Sequence, residues 1–145
     1  MKPSAMVDVI NKTQNRINLT VVRRTAGDFL KHRKIAVAEL SIAFVTPRIM
    51  ARLNKTYRGK SGTTDALSFM GEGDFLGEIL IDYAQVKKQA REQDKTVTDE
   101  LIFILIHGLL HLSGYDDDTD SARDKMISLG HSIMNKINKR KETKR

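Results

Sequence analysis

The 145-residue chain contains no cysteine. Disulfides, thiolate metal sites and cysteine nucleophiles are thereby excluded, and the composition suits a reducing compartment. The first residues, Met1-Lys2-Pro3-Ser4-Ala5-Met6-Val7-Asp8, lack the apolar core of a signal peptide. The longest apolar run, Leu101 to Leu112, holds two histidines and is too short to span a bilayer. No internal repeat, low-complexity linker or break in composition marks a second domain. The expectation is one soluble, cytoplasmic domain over residues 1–145, with no membrane partner, long enough to bury a core without covalent staples.

The net charge of +7 is unevenly placed. Residues 136–145 hold Lys136, Lys139, Arg140, Lys141, Lys144 and Arg145 against Glu142 alone, so a basic C-terminal tail carries most of the excess. Such a tail is either a solvated terminus or a phosphate-seeking arm whose binding weakens with salt.

Hydrophobic patterning predicts an α+β fold: about four strands in a mixed sheet packed against helices. Met6 to Ile10 suits a first strand and residues 14–33 a helix. Ala36 to Val45 alternates, with Leu40, Ile42 and Phe44 opposite Glu39 and Ser41. Thr46-Pro47 reads as an N-cap with proline at the first helical position, and Gly59 as the stop. Ile49, Met50, Leu53 and Tyr57 form that helix's apolar face. After the polar loop 60–64, strands are predicted at Asp65–Phe69 and Leu76–Ile81, joined through 70–75. Asp82 caps a helix to about Gln93, with Tyr83, Val86 and Ala90 inward. The next helix opens at Thr96 or Thr98 and ends at Ser113-Gly114. Apolar on nearly every side, it is the central, buried helix. A final helix starts near Asp118 or Thr119, with Met126, Leu129, Ile133 and Ile137 inward.

The chemistry concentrates at the end of the central helix. Two of the four histidines, His107 and His111, stand four apart, so both imidazoles share one helical face. Gly108 removes a side chain beside the first and lets another backbone or a substrate come close. Gly114 permits a chain reversal, and Asp116-Asp117-Asp118 follows as a supply of carboxylates for a third ligand. Two neutral imidazoles and one carboxylate, with a position left for water, suit a catalytic zinc better than a structural one. The HExxH metalloproteases carry a glutamate directly after the first histidine as general base; here that position is Gly108, which argues against peptide hydrolysis.

His107-Gly108-x-Leu110-His111-Leu112-x-Gly114-Tyr115-Asp116 resembles the signature of the YbeY family of bacterial metal-dependent endoribonucleases. Asn54-x-x-Tyr57-Arg58-Gly59-Lys60, then Thr64-Asp65-Ala66-Leu67-Ser68-Phe69 and Leu76-Gly77-Glu78-Ile79, resemble its upstream blocks in order and spacing. Ala66 and Met70 stand where the family more often has valine and proline. The resemblance implies an α+β fold and a role in ribosomal RNA maturation, especially of the small subunit, and in ribosome quality control. Its implied partners are ribosomal RNA and the pre-ribosomal small subunit, with ribosomal proteins or an assembly GTPase beside them.

The resemblance further implies a zinc ion held by three histidines of the HGxLHLxGYDH motif. Carried across, the metal ligands are His107, His111 and Asp117, the last an aspartate where the family has histidine. A carboxylate ligates zinc, but its charge makes bound water less acidic and favours harder cations. His131, on the predicted last helix, is the rival third ligand. Asp116 and Asp118 are neighbours suited to turn formation and capping. The implied catalytic residues are His107 and Arg58, whose planar guanidinium matches phosphate oxygens. Lys55 and Lys60 extend the positive charge, and Asp65 is read as a brace for the loop before its strand. No side chain is assigned as general base. The competing expectation is a non-catalytic RNA- or ribosome-binding assembly factor with a structural metal.

Overall fold

The computed structural model describes residues 6–36, 39–59 and 64–143, leaving outside the description the side chains of Arg58 and of 138–143. The elements run β1 (Met6–Asn11), α1 (Leu19–His32), β2 (Glu39–Val45), α2 (Pro47–Arg58), β3 (Ala66–Met70), β4 (Phe75–Asp82), α3 (Tyr83–Glu92), α4 (Val97–Leu112) and α5 (Asp120–Thr143). The sheet order is β1-β2-β4-β3. The first three neighbours are parallel, with α1 as the crossover between β1 and β2, while β3 pairs antiparallel to β4 and forms one edge. This is the expected mixed four-stranded sheet with helices. Among the described residues no helix is long and apolar enough to cross a membrane.

Local signals place most element ends. Thr46 Oγ1 accepts from the Ile49 amide ahead of Pro47, and Gly59 closes α2 in the left-handed region at φ 67°. Asp82 caps α3 by accepting from Gln85 N. Thr96 opens α4 by accepting from Asp99 N, which settles the choice against Thr98. Thr119 Oγ1 accepts from Ala122 N at the head of α5.

Two expected spans differ. The helix predicted from residue 14 begins at Leu19, because the polar run before it satisfies its backbone through side chains instead. Asn11 Oδ1 accepts from the Thr13 amide and hydroxyl, Thr13 Oγ1 accepts from Asn15 N, and Asn18 caps α1. The strand expected from Ala36 is formed from Glu39 onward; Val37 and Ala38 lie outside the described residues. Polar loop positions 60–63 are likewise outside them. The backbone of α5 continues to Thr143, so the basic segment from 136 starts as helix.

Both faces of the sheet are covered, unequally. On one face Ile42, Phe44, Ile79 and Ile81 meet α1, α4 and α5 in the main core. On the other, Ala43, Val45, Leu67 and Leu80 pack with Met50 of α2. The alternation in β2 therefore gives a polar second face only at Glu39 and Ser41. In α2 Met50 and Asn54 are buried and Leu53 partly so; Ile49 and Tyr57, expected inward, are exposed. Ten of the sixteen residues of α4 are buried, which fixes the histidine helix at the centre of the molecule.

Candidate metal centre

The last two turns of α4 carry His107 and His111, whose rings stand edge to face with centroids 4.9 Å apart. The helix stops at Ser113, and Gly114, at φ 105°, turns the chain back. Asp116 Oδ1 accepts from Asp118 N, closing a short turn that leaves Asp117 aimed at the two imidazoles. Asp117 Oδ2 lies 3.7 Å from His107 Nε2 and 3.6 Å from His111 Nε2. One ligand atom from each of the three residues falls within 4.8 Å of the others.

These separations fit a shared cation. Donors about 2.1 Å from a tetrahedral zinc stand about 3.4 Å apart. The side chains are 27%, 30% and 39% exposed, so the triangle faces solvent on one side, as a site with an open position requires. Two imidazole nitrogens and one carboxylate oxygen are a donor set that zinc accepts. The structure thus brings together the three residues singled out from the motif. His131 is not among them: it sits on the exposed side of α5, stacked on Phe103 at 4.7 Å.

Burial lowers the pKa of His107, His111 adds to the effect, and Asp117 and Asp65 oppose it. The folded state therefore resists protonation that the unfolded chain accepts near pH 6.5. Above that value neither state is charged at this residue, and stability does not depend on pH through it. As pH falls below 6.5 the unfolded state takes up the proton first, and stability is lost. Metal-free protein should show a declining thermal midpoint below pH 6.5, with a shallower decline in His107→Gln. Equal slopes in the two proteins would contradict the assignment.

The triangle opens into a cleft of about 940 Å³ lined by β3, α4 and the 114–118 turn. Gly108 packs α4 onto its floor: a Cβ there would stand 3.2 Å from two Ile79 carbons and 3.3 Å from Ser68 Oγ. The close approach expected at Gly108 is therefore with the sheet, and Ser68 Oγ donates to its carbonyl. Tyr115 pins the turn from outside, accepting from Arg33 Nη2 at 2.8 Å. α2 ends at Arg58 beside the cleft-lining Tyr57; the Arg58 side chain and Lys60 lie outside the described residues.

Asp65 does brace its loop, as its carbonyl accepts from Asp82 N. Its carboxylate is also held: Gln89 Nε2 donates to Asp65 Oδ2 at 3.2 Å and to the buried Glu100 at 3.0 Å. Glu100 in turn lies 3.8 Å from Lys95 Nζ. This brace joins α3, α4 and the cleft. Its sequence signal is slight, because Glu100 stands next to Asp99 in a first helical turn where acidic residues are common.

The sequence profile described as Endoribonuclease YbeY matches residues 8–138. The chain belongs to the YbeY endoribonuclease family. The YbeY match takes in α1 to α4 and β2 to β4 whole, with most of β1 and α5. Endoribonuclease YbeY of Syntrophomonas wolfei is 32% identical over 91% of this chain and 97% of its own. That of Thermodesulfovibrio yellowstonii is 43% identical over 68% of this chain and 66% of its own. The solution structure of a Thermotoga maritima protein shares the fold, with a TM-score of 0.61, 24% identity and 93% of each chain covered. Family membership makes the protein an enzyme, a hydrolase acting on RNA.

Proposed function

We propose that this YbeY-family protein cleaves ribosomal RNA precursors in the cytoplasm, during maturation and quality control of the small subunit, with zinc held by His107, His111 and Asp117. The observation that carries the reading is the convergence of two imidazole nitrogens and a carboxylate oxygen within 4.8 Å at the mouth of a cleft. Three protein ligands and an open side favour a catalytic ion over a closed structural one. A zinc ion bound there supplies Lewis-acid polarisation of a phosphate oxygen. Asp117 orients and charge-balances the centre, and the loss of a third imidazole lowers the net positive charge of the loaded site by one.

Arg58 is assigned to the scissile phosphate, where a planar donor fork stabilises charge that grows in the transition state. The test is metal-stripped and zinc-reloaded protein incubated with small-subunit ribosomal RNA precursor. Cleavage should follow zinc content, and Arg58→Ala should lower the rate about 10²-fold at unchanged zinc occupancy, the scale of losing one transition-state donor. Equal cleavage by stripped and reloaded protein would sink the metal reading. Intact precursor under both conditions would favour a binding factor.

A further inference from the structure

β3 is an edge strand, and its pairing register shows which backbone groups face outward. Asp82 N donates to Asp65 O at 2.9 Å and Gly71 N to Leu76 O at 3.0 Å, at the two ends of the β3–β4 ladder. Bonded positions alternate along an antiparallel pair, so 65, 67, 69 and 71 turn their backbone groups to β4. Ala66, Ser68 and Met70 turn theirs to the open side. That side is the cleft, which the whole strand lines together with α4 and the 114–118 turn.

The edge is unguarded. Ala66-Leu67-Ser68-Phe69-Met70 contains no charge and no proline, two of the devices that keep a free edge from pairing. Met70 is 70% exposed and Tyr57, on α2, is 64% exposed, so apolar surface lies beside the open groups. The cleft walls are acidic. Asp65, Asp116, Asp117 and Asp118 all line them, while Arg123, the one lining Lys or Arg among the described residues, pairs with Asp120.

These features fit an extended peptide with basic residues. A row of alternating N–H and C=O groups is answered by another strand, which offers both, and not by a phosphodiester, which brings acceptors alone. The acidic walls favour cationic side chains, and a second copy of this chain would bring the same acidic charge. Side chains of an added strand alternate between the two faces of the sheet. Ser68 Oγ bonds the Gly108 carbonyl, so residues on that side meet α4 and the aspartates. Phe69 packs with Tyr57 on the other face, at 5.1 Å between centroids, so the alternate residues meet apolar surface.

We propose that the open edge of β3 docks an extended, alternately basic and apolar segment of a partner protein by strand addition. Position 108, where HExxH peptidases carry their glutamate base, is glycine, so the segment is held and released intact. It lies over Ser68, against the residue that follows His107, and so closes the metal centre to RNA. The docking goes beyond the ribonuclease reading and does not depend on it; the block on cleavage rests on that reading.

The experiment uses the full chain and a capped synthetic peptide of about seven residues alternating arginine and valine, with glutamate replacing arginine in the control. Amide hydrogen exchange read by NMR is the deciding measurement. The peptide should slow exchange at 66, 68 and 70 about tenfold or more, and leave the already paired 67, 69 and 71 little changed. Affinity from fluorescence anisotropy should fall about tenfold in Met70→Pro, which removes an outward N–H where an edge strand tolerates proline. Met70→Ala keeps that N–H and should lose about threefold or less. Asp116→Asn with Asp118→Asn should weaken binding and flatten its salt dependence, since asparagine keeps the acceptor that closes the turn. No slowing at 66, 68 and 70, equal affinity in Met70→Pro, or equal binding of the glutamate control overturns the proposal. A single-stranded RNA of about ten nucleotides is run in parallel. If it, rather than the peptide, slows the same three amides, the edge belongs to nucleic acid and the proposal fails. Saturating peptide should also slow cleavage of an RNA precursor; undiminished cleavage overturns the closure of the metal centre. If the chain cleaves no RNA with or without peptide, the nuclease reading fails, and the amide protection still decides the docking.

Discussion

His111→Ala should abolish zinc-dependent RNA cleavage, with a rate loss of roughly 10³-fold or more, while leaving the fold intact. The argument starts from the geometry of the triangle. His111 Nε2 lies 3.6 Å from Asp117 Oδ2, and removing it leaves one imidazole and one carboxylate. Two protein ligands do not hold zinc in competition with water and buffer. The His111 side chain is about one-third exposed, so its truncation opens no sealed cavity in the core. Metal-free parent and variant should therefore melt within about 0.5 kcal/mol of each other, as surface substitutions usually do. Zinc content by mass spectrometry and cleavage of an RNA precursor are the two readouts. Full zinc occupancy with full activity in the variant would remove His111 from the ligand set. Asp117→His gives the opposite sign: a third imidazole restores the family's pattern and should tighten zinc without moving the turn that Asp116 and Tyr115 hold.

Much of this site was legible because its signals are local. Two histidines four apart on a helix share a face whatever surrounds them, and Gly114 marks a reversal that brings the next carboxylates back. The caps at Thr46, Asp82 and Thr96 are likewise decided within three residues. The illegible features depend on residues far apart. Arg33 and Tyr115, 82 positions apart, meet only because α1 and the ligand turn lie at the same end of the molecule. Gln89 bridges Asp65 and Glu100 only once β4 has paired with β3 and α3 has packed on α4. Tyr57 obeys helical spacing and still ends up exposed, because periodicity says which way a side chain points and nothing about where the sheet beneath it stops. Among these residues, His107, His111 and Asp117 needed only the motif, whereas the groups that position them needed the fold.

Gly77→Ala should cost about 3 kcal/mol or more. Gly77 lies in β4 opposite Met70 of the edge strand, with φ at 147°. Side chains rarely tolerate that conformation, and the strain alone is worth of order 1–3 kcal/mol. Space is the second constraint. A Cβ at Gly77 would fall 2.3 Å from the Phe69 carbonyl oxygen and 2.8 Å from a Leu112 methyl. The first is backbone and cannot swing aside, so either β3 separates from β4 or the strand twists. The second closes the last turn of α4, one residue past His111. Relief of either clash thus moves a wall of the cleft or the helix end that aims the imidazole. Gly73→Ala is the control: φ there is also positive, at 60°, but nothing stands within 4 Å of the added carbon. It should lose only about 1 kcal/mol from the left-handed backbone. Urea denaturation of metal-free protein separates the two, and the thermal midpoint of Gly77→Ala should fall by roughly 10 °C. Similar losses in both variants would mean that β4 yields at this point, and that the contact between the hairpin and the end of α4 does not position His111.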